Sequence, residues 1–354
     1  MGIQAAELKV GVGKFIYGQG CLNKLNKEIK CFGSRALILC GQTYADGVKK
    51  QIDCLLDSSI HVVTIVHNDV CSRNWAQKYS FIATEKRIDV IVGVGGGKVL
   101  DLAKATAEYS KLPIITIPTS IATCAASAAV AIMYTDEGKP DGSIVLSKEI
   151  DIVIADTQII IKAPLRLLVA GILDSLAKYP EVIHNLGLNY SREKSICIAN
   201  SKEIFSFLNG EINRIDDGKL NCAEMNDFII TNLIHTSVVS GFSLGANQLA
   251  LAHALYSYMR TYYVENSTKY LHGEIVATGV LLQMDYNAKG HDSNDMTRIK
   301  NFMETHRVPC YLKDLGISCT QDSLEHIHSY LIAETNIGST QDKEYLWEAL
   351  NRRR

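Results

Sequence analysis

Apolar residues in this chain follow two different periods. In the N-terminal half, short β-branched runs alternate with amphipathic stretches. Lys14–Gly20, Arg35–Cys40, His61–Val66, Val90–Val94, Leu112–Pro118 and Ile152–Asp156 read as strands, and Leu22–Cys31, Tyr44–Leu56 and Asn74–Glu85 as helices between them. Ala131–Gly138 predicts a strand running into a turn. Strands spaced by helices argue for a mostly parallel sheet covered on both faces. From Lys162 onward the spacing turns helical, over Leu165–Lys178, Arg192–Leu208, Ala223–Leu244, Gln248–Tyr258 and Ile275–Tyr286, with shorter helices up to Leu350. The expected organisation is an α/β domain over residues 1–161 and an all-α domain over residues 162–354, with the ligand site in the cleft between them.

The densest signal is Asp89-Val-Ile-Val-Gly-Val-Gly-Gly-Gly-Lys-Val-Leu-Asp-Leu-Ala-Lys104. A buried strand breaks at Gly95, Gly96, Gly97 and Lys98, then resumes with the spacing of a helix. Glycines let the backbone approach a phosphate, and the N–H groups of a first helical turn point at the anion. Lys98 adds positive charge there, and Asp101 is expected in the first turn, where the helix dipole favours an acid. The stretch predicts a diphosphate cradle; its plainer reading is a glycine-rich turn of an α/β sheet. It matches neither Gly-x-Gly-x-x-Gly nor a P-loop.

Composition narrows the function classes. Of 354 residues, 47% are hydrophobic and 21% charged, and the formal net charge of −2 gives no electrostatic case for nucleic acid. The ten cysteines include no Cys-x-x-Cys pair, and several sit in apolar runs as small hydrophobes. No signal peptide opens the chain and no run nears the ~20 apolar residues of a membrane span, so a cytoplasmic protein with free thiols is expected.

Three residues in the helical half stand out because their neighbours are apolar: Asp174, His253 and His272. A charge and two imidazoles in such settings are costly unless paired or bound to metal. Two histidines and a carboxylate suit a divalent ion with an open position; a lone buried histidine is more often a satisfied core residue, and no His-x-x-x-His spacing advertises a site. His61, His67, His291, His306, His326 and His328 read as solvated, His184 and His235 are assigned nothing, and packing accounts for Trp75 and Trp347.

Taken together, Gly95–Lys104, Ile117-Pro-Thr-Ser-Ile-Ala-Thr-Cys124, Met133-Tyr-Thr-Asp-Glu-Gly138, Ala170-Gly-Ile-Leu-Asp174, Ala252-His-Ala254 and His272-Gly-Glu274 resemble the iron-containing alcohol dehydrogenase superfamily, in its glycerol dehydrogenase branch. The resemblance implies an N-terminal dinucleotide-binding domain, a helical domain, NAD or NADP, one divalent metal (Zn²⁺ or Fe²⁺), a small alcohol or ketone as substrate, and a homo-oligomer. By motif, Asp174, His253 and His272 are the metal ligands. Gly97, Lys98 and Thr119 hold the diphosphate, Tyr134 lies on the nicotinamide side, and Gly95, Gly96, Asp101, Ala128 and Val130 belong to the same cofactor set. The chemistry implied is hydride exchange between a carbinol carbon and nicotinamide beside a Lewis-acidic metal.

Two departures from the branch carry expectations. Glycerol dehydrogenases place an aspartate where this chain has Cys124. Its loss removes an anchor for a triol and a charge that repels anions. The run Ala122-Thr-Cys-Ala-Ala126 resembles members that reduce 2-oxo acids, which tilts the expected substrate toward 2-hydroxy or 2-oxo compounds. After the Ala36–Cys40 strand, NAD-preferring members place an acid for the ribose 2′-hydroxyl. Here the turn is Gly41-Gln-Thr-Tyr44 with no acid until Asp46, so Gln42 is the expected ribose contact and NADP is expected to be accepted. The same plan resembles glycerol-1-phosphate dehydrogenase and 3-dehydroquinate synthase. Those need added cations near the metal, and although Lys178 lies near Asp174, Leu255-Tyr256-Ser257 is poor in them. A non-catalytic nucleotide-binding protein is the remaining alternative. Pro180 and Tyr256 depart from commoner family residues, but the intact Asp174, His253 and His272 set argues against it.

Overall fold

The strand Val90–Gly95 lies at the centre of a sheet because nothing in it can face water: all six residues are buried. The computed structural model describes residues 8–42, 47–186, 191–215, 220–243, 249–289, 293–335 and 337–354. Its strands are β1 Val12–Gly18, β2 Arg35–Cys40, β3 His61–Val66, β4 Val90–Gly95, β5 Ile114–Pro118, β6 Val130–Tyr134, β7 Pro140–Val145 and β8 Ile150–Asp156. Six of them form one sheet in the order β1-β8-β5-β4-β2-β3, every pairing parallel. β6 and β7 make a separate antiparallel pair.

In chain order the helices are α1 Leu25–Lys30, α2 Lys49–Leu55, α3 Arg73–Glu85, α4 Gly97–Ser110, α5 Thr157–Ile160, α6 Leu165–Leu176, α7 Lys178–Leu186, α8 Arg192–Ile215, α9 Cys222–Ile229 and α10 Thr236–Phe242. They continue with α11 Leu251–Tyr262, α12 Val264–Ser267, α13 His272–Ala288, α14 Asn294–Thr305, α15 Gln321–Glu334 and α16 Thr340–Arg352. The chain forms two compact units, residues 1–163 with 221–242, and residues 164–220 with 243–354. Residues 221–242, expected in the helical part, cluster instead with the α/β unit. There Thr157 Oγ1 donates to Asn226 Oδ1 at 2.6 Å, Ser127 Oγ to the Leu233 carbonyl at 2.6 Å, and Asn232 Nδ2 to the Ile121 carbonyl at 3.3 Å.

One core of the α/β unit joins Leu25, Ile29 and Ile52 to Ile38, Val92, Ile117 and Ile154. The helical unit packs Leu251, Leu255, Ile275, Leu282, Leu312, Ile327, Leu346 and their neighbours. Several expectations shift. Leu22–Cys31 begins as a 3₁₀ turn over Cys21–Lys24 before α1. The helix expected over Ala223–Leu244 is α9, a π turn over Ile230–His235, and α10; the Ser127 hydroxyl donates to a carbonyl within that wide turn. Residues 43–46, Leu244, Gln248 and His291 lie outside the described residues. His67, expected in solvent, is buried, with Nδ1 against the Tyr79 hydroxyl and Nε2 against the Val70 carbonyl, both at 3.0 Å.

All ten cysteines are free thiols. Burial pushes Cys21 and Cys71 up to about 12, and Cys40, Cys197 and Cys310 up to about 11. A thiolate-selective reagent at mildly alkaline pH is therefore expected to label the exposed Cys31 and Cys54 first and to leave those five until the protein unfolds. Peptide mapping checks this, and early labelling of any of the five contradicts it. No described helix is long and apolar enough to cross a membrane.

Candidate metal centre and cofactor cradle

Three helices of the helical unit converge on one point. Asp174 comes from α6, His253 from α11 and His272 from the first position of α13, and their ligand atoms lie within 4.8 Å of one another. The helices can approach because glycines remove the side chains between them. A Cβ on Gly273 would stand 1.9 Å from the Ala170 carbonyl oxygen, fixing α13 to α6, and one on Gly279 would stand 2.6 Å from Ala252 Cα, fixing α13 to α11. Arg166 of α6 reinforces the first junction. Its Nε and Nη2 donate to Glu274 Oε1 and Oε2 at 2.5 and 2.6 Å, while Oε2 also accepts the Leu271 N–H at 2.8 Å.

The cluster is built to hold positive charge. Asp174 Oδ1 is buried without a hydrogen-bond partner, and the Nε2 atoms of His253 and His272 face it at 3.4 and 3.2 Å. Two ligands each ~2.1 Å from one ion at tetrahedral angles sit about that far apart. His253 Nδ1 donates to Glu181 Oε2 at 2.7 Å, which fixes the tautomer and turns the Nε2 lone pair toward Asp174. Glu181 Oε1 also accepts the Ala250 and His253 N–H groups at 2.7 and 3.0 Å. A carboxylate oxygen and a ring lone pair at this distance repel unless a cation or proton stands between them, so the donor set fits a divalent ion.

The electrostatics agree. Burial alone would raise the Asp174 carboxyl, but His272 and then His253 outweigh it and hold the acid well below its ordinary range. Glu181 is likewise held low against burial by His253. Burial disfavours the His253 cation, yet Glu181 and Asp174 reverse that and lift it to about 9. Tyr256 sets its ring edge-on to His272, centroids 4.3 Å apart. Asp174 is buried whereas His253 and His272 are half-buried, so the site has an open side for a further ligand.

Sequence reasoning passed over Glu181, which holds the His253 ring from behind. Expected result: Glu181→Gln weakens metal binding about 10- to 100-fold, the usual effect of losing an acid behind a ligand histidine, read by competition with a chelating dye. An unchanged affinity contradicts its role.

In the α/β unit, the strand order reverses between β2 and β4, the place where open α/β sheets bind ligands outside the carboxyl ends of their strands. Gly41-Gln42 and Gly95–Gly97 flank that point. Gly95 ends β4 at φ +154, where a side chain would strain the turn and crowd Val99. Gly96 is extended and a Cβ there meets nothing within 4 Å. α4 starts at Gly97 without a side-chain cap, which leaves its N-terminal end suited to an anion, with Lys98 exposed beside it.

The Thr119 N–H reaches the Gly95 carbonyl at 3.0 Å, tying the β5 loop to the turn. Asp101 lies one position past the first turn of α4, not within it. It pairs with the fully buried Lys104 at 2.7 Å, and that ammonium also donates to the Ala128 carbonyl at 3.1 Å and to that of Val130. Cys124 is half-buried, and its carbonyl accepts the Ser127 and Ala128 N–H groups. Tyr134 ends β6 with its N–H on the Cys71 carbonyl at 2.9 Å. Gln42 Oε1 accepts from Asn68 at 3.2 Å.

A parallel α/β unit with a glycine cradle and a helical unit with an Asp-His-His centre are the parts of a metal-dependent dehydrogenase. Comparison with known proteins identifies the family. Residues 13–157 match the model described as iron-containing alcohol dehydrogenase. A glycerol dehydrogenase of Escherichia coli O6:H1 is 30% identical, the match covering 77% of this chain and 75% of that one. Hydroxycarboxylate dehydrogenase A of Escherichia coli K12 is 30% identical over 60% of this chain and 59% of its own. The crystal structure of a probable glycerol dehydrogenase from Sinorhizobium meliloti shares the fold, with a TM-score of 0.81 at 24% identity, covering 98% of this chain and 99% of the other. The chain belongs to the iron-containing alcohol dehydrogenase family, in its glycerol dehydrogenase-like branch. It is a metal-dependent oxidoreductase acting on CH–OH groups of small alcohols, with NAD(P) and a divalent metal as cofactors.

Proposed function

We propose that the protein interconverts a small secondary alcohol, either a vicinal diol such as glycerol or a 2-hydroxy acid, and its ketone. The observation that carries this reading is the buried, unpartnered Asp174 Oδ1 faced by two imidazoles on a site with one open side. When bound, the divalent ion acidifies a substrate hydroxyl and the nicotinamide takes up the hydride. Asp174, His253 and His272 would hold the ion, with Glu181 keeping the His253 proton on Nδ1.

Cofactor binding is assigned to the α/β unit. Gly95, Gly96 and Gly97 give the diphosphate access to the α4 N–H groups, Lys98 and Thr119 flank it, Tyr134 serves the nicotinamide side and Gln42 the ribose. Asp101, Ala128 and Val130 act beneath them, through the Lys104 contacts that fix the loop. Gln42 presents no carboxylate to repel a 2′-phosphate, so NADP is accepted beside NAD. The free cysteines suit a reducing cytoplasm, and resemblance to the family points to a homo-oligomer.

Cys124, in place of the aspartate of glycerol dehydrogenases, favours the 2-hydroxy acid over glycerol. The deciding experiment follows absorbance at the nicotinamide band with metal-stripped protein reloaded with Zn²⁺ or Fe²⁺, either cofactor, and glycerol, 1,2-propanediol or 2-oxo acids. Metal-dependent turnover, fastest on the 2-oxo acids, is the expected result. A clear glycerol preference removes the role given to Cys124. Silence across the panel in protein that binds both cofactors favours the phosphate-substrate relatives.

A further inference from the structure

We infer that Lys178 is the substrate-anion anchor of this centre and selects 2-oxo and 2-hydroxy acids, whose carboxylate is bonded directly to the reacting carbon. The inference rests on the reading of Asp174, His253 and His272 as the metal ligands.

Ala177 joins α6 to α7 in helical conformation, so Asp174, Lys178 and Glu181 follow one another at helical spacing on one face. That face meets His253, whose two ring nitrogens address Asp174 and Glu181. Lys178 is only 3% exposed. Its charge bears on Asp174, Glu181, His253 and Cys197. Even so, among the described residues no carboxylate lies within ion-pair distance of its Nζ and no acceptor takes a hydrogen bond from it.

The contrast with Lys104 is informative. That lysine, fully buried, is met by Asp101 and by the carbonyls of Ala128 and Val130. Burying an ammonium without such partners is costly, and folds keep such a group where a ligand completes it. The charge count names the ligand. Asp174 and Glu181 together offset a divalent ion, which leaves the lysine's charge for a substrate anion; a 2-hydroxy acid brings that anion as its carboxylate before its hydroxyl ionises, and a triol does not. Lys178 also stands one turn from a metal ligand, roughly 5–6 Å between Cβ atoms at this spacing. Its reach therefore suits an anion adjacent to the oxygen at the metal, and a phosphate farther along a polyol fits less well.

The test uses the full zinc-loaded chain and two readouts. Calorimetry follows oxamate, an unreactive 2-oxo acid mimic. Steady-state kinetics compare 2-oxobutyrate with its neutral counterpart 1-hydroxy-2-butanone. Lys178→Gln is expected to weaken oxamate and raise KM for 2-oxobutyrate by about tenfold to a hundredfold, a loss at least about tenfold larger than the loss in kcat/KM on the neutral ketone. Lys178→Arg recovers part of the loss. Equal losses on both ketones, or no change in oxamate affinity, overturn the inference in favour of a structural lysine. Wild-type protein decides the matter even if the variants do not fold. Zinc bound without oxamate binding, or preference for dihydroxyacetone or its phosphate, overturns it alone. Protein that binds no zinc at Asp174 takes the underlying reading down with it.

Discussion

Asp174→Asn is expected to lose its divalent ion and, with it, turnover by at least about a thousandfold, since such an ion supplies several kcal/mol of charge stabilisation. The substitution keeps the shape of the side chain and removes only its charge. In the wild type that charge faces two imidazole nitrogens at 3.2 and 3.4 Å, and an amide in its place offers a neutral oxygen or an N–H. An N–H donated to either ring occupies the lone pair that a metal needs. The fold should survive, because α6 is anchored by Leu168, Leu173 and Leu176, all buried, and by Arg166 on Glu274. Metal analysis and circular dichroism on the same sample separate the effects. One ion per chain with activity within about tenfold of wild type would remove Asp174 from the centre.

How far the centre was legible depends on what kind of signal each residue leaves. The strands at Arg35–Cys40 and His61–Val66 were readable to the residue, the first because a buried parallel strand is a continuous apolar run, the second, a mostly exposed edge strand, from its β-branched residues. β7 was missed for the opposite reason. Pro140, Gly142 and its mostly exposed residues look like a loop, and only its pairing with β6 makes it a strand.

Asp174, His253 and His272 come from three separate helices, so no spacing along the chain announces them. Apolar surroundings raised them and the family resemblance joined them. Glu181 gave a local signal, an acid two turns after Asp174 on the same face. Pro180 hid it by suggesting a helix end, although α7 holds that proline within its first turn, where proline is tolerated. The burial of Lys104 leaves no mark in the local sequence because the carbonyls that surround it belong to a distant loop. The displacement of Asp101 from the first turn follows from where α4 starts, a matter of one or two residues that spacing does not resolve.

Gly273→Ala should damage the same centre without touching a ligand. The added methyl would lie 1.9 Å from the Ala170 oxygen and 2.6 Å from its carbonyl carbon. Both are backbone atoms of α6, which no rotamer change can move aside, so α13 itself must shift away. The cost is that of overpacking, about 1–3 kcal/mol or more, and a melting temperature about 5–10 °C lower follows for a unit of this size. The shift also carries His272, the neighbouring residue and first of α13, away from Asp174, while the Arg166–Glu274 pair resists it. Metal affinity should therefore fall by at least the 10- to 100-fold expected for a disturbed supporting contact. Gly210→Ala is the control: it lies inside α8, a Cβ there meets nothing within 4 Å, and the exchange favours the helix by about 0.5–1 kcal/mol. If Gly273→Ala melts and binds metal like the control, the glycine contact does not hold the ligand helices together and the account of how they are positioned is wrong.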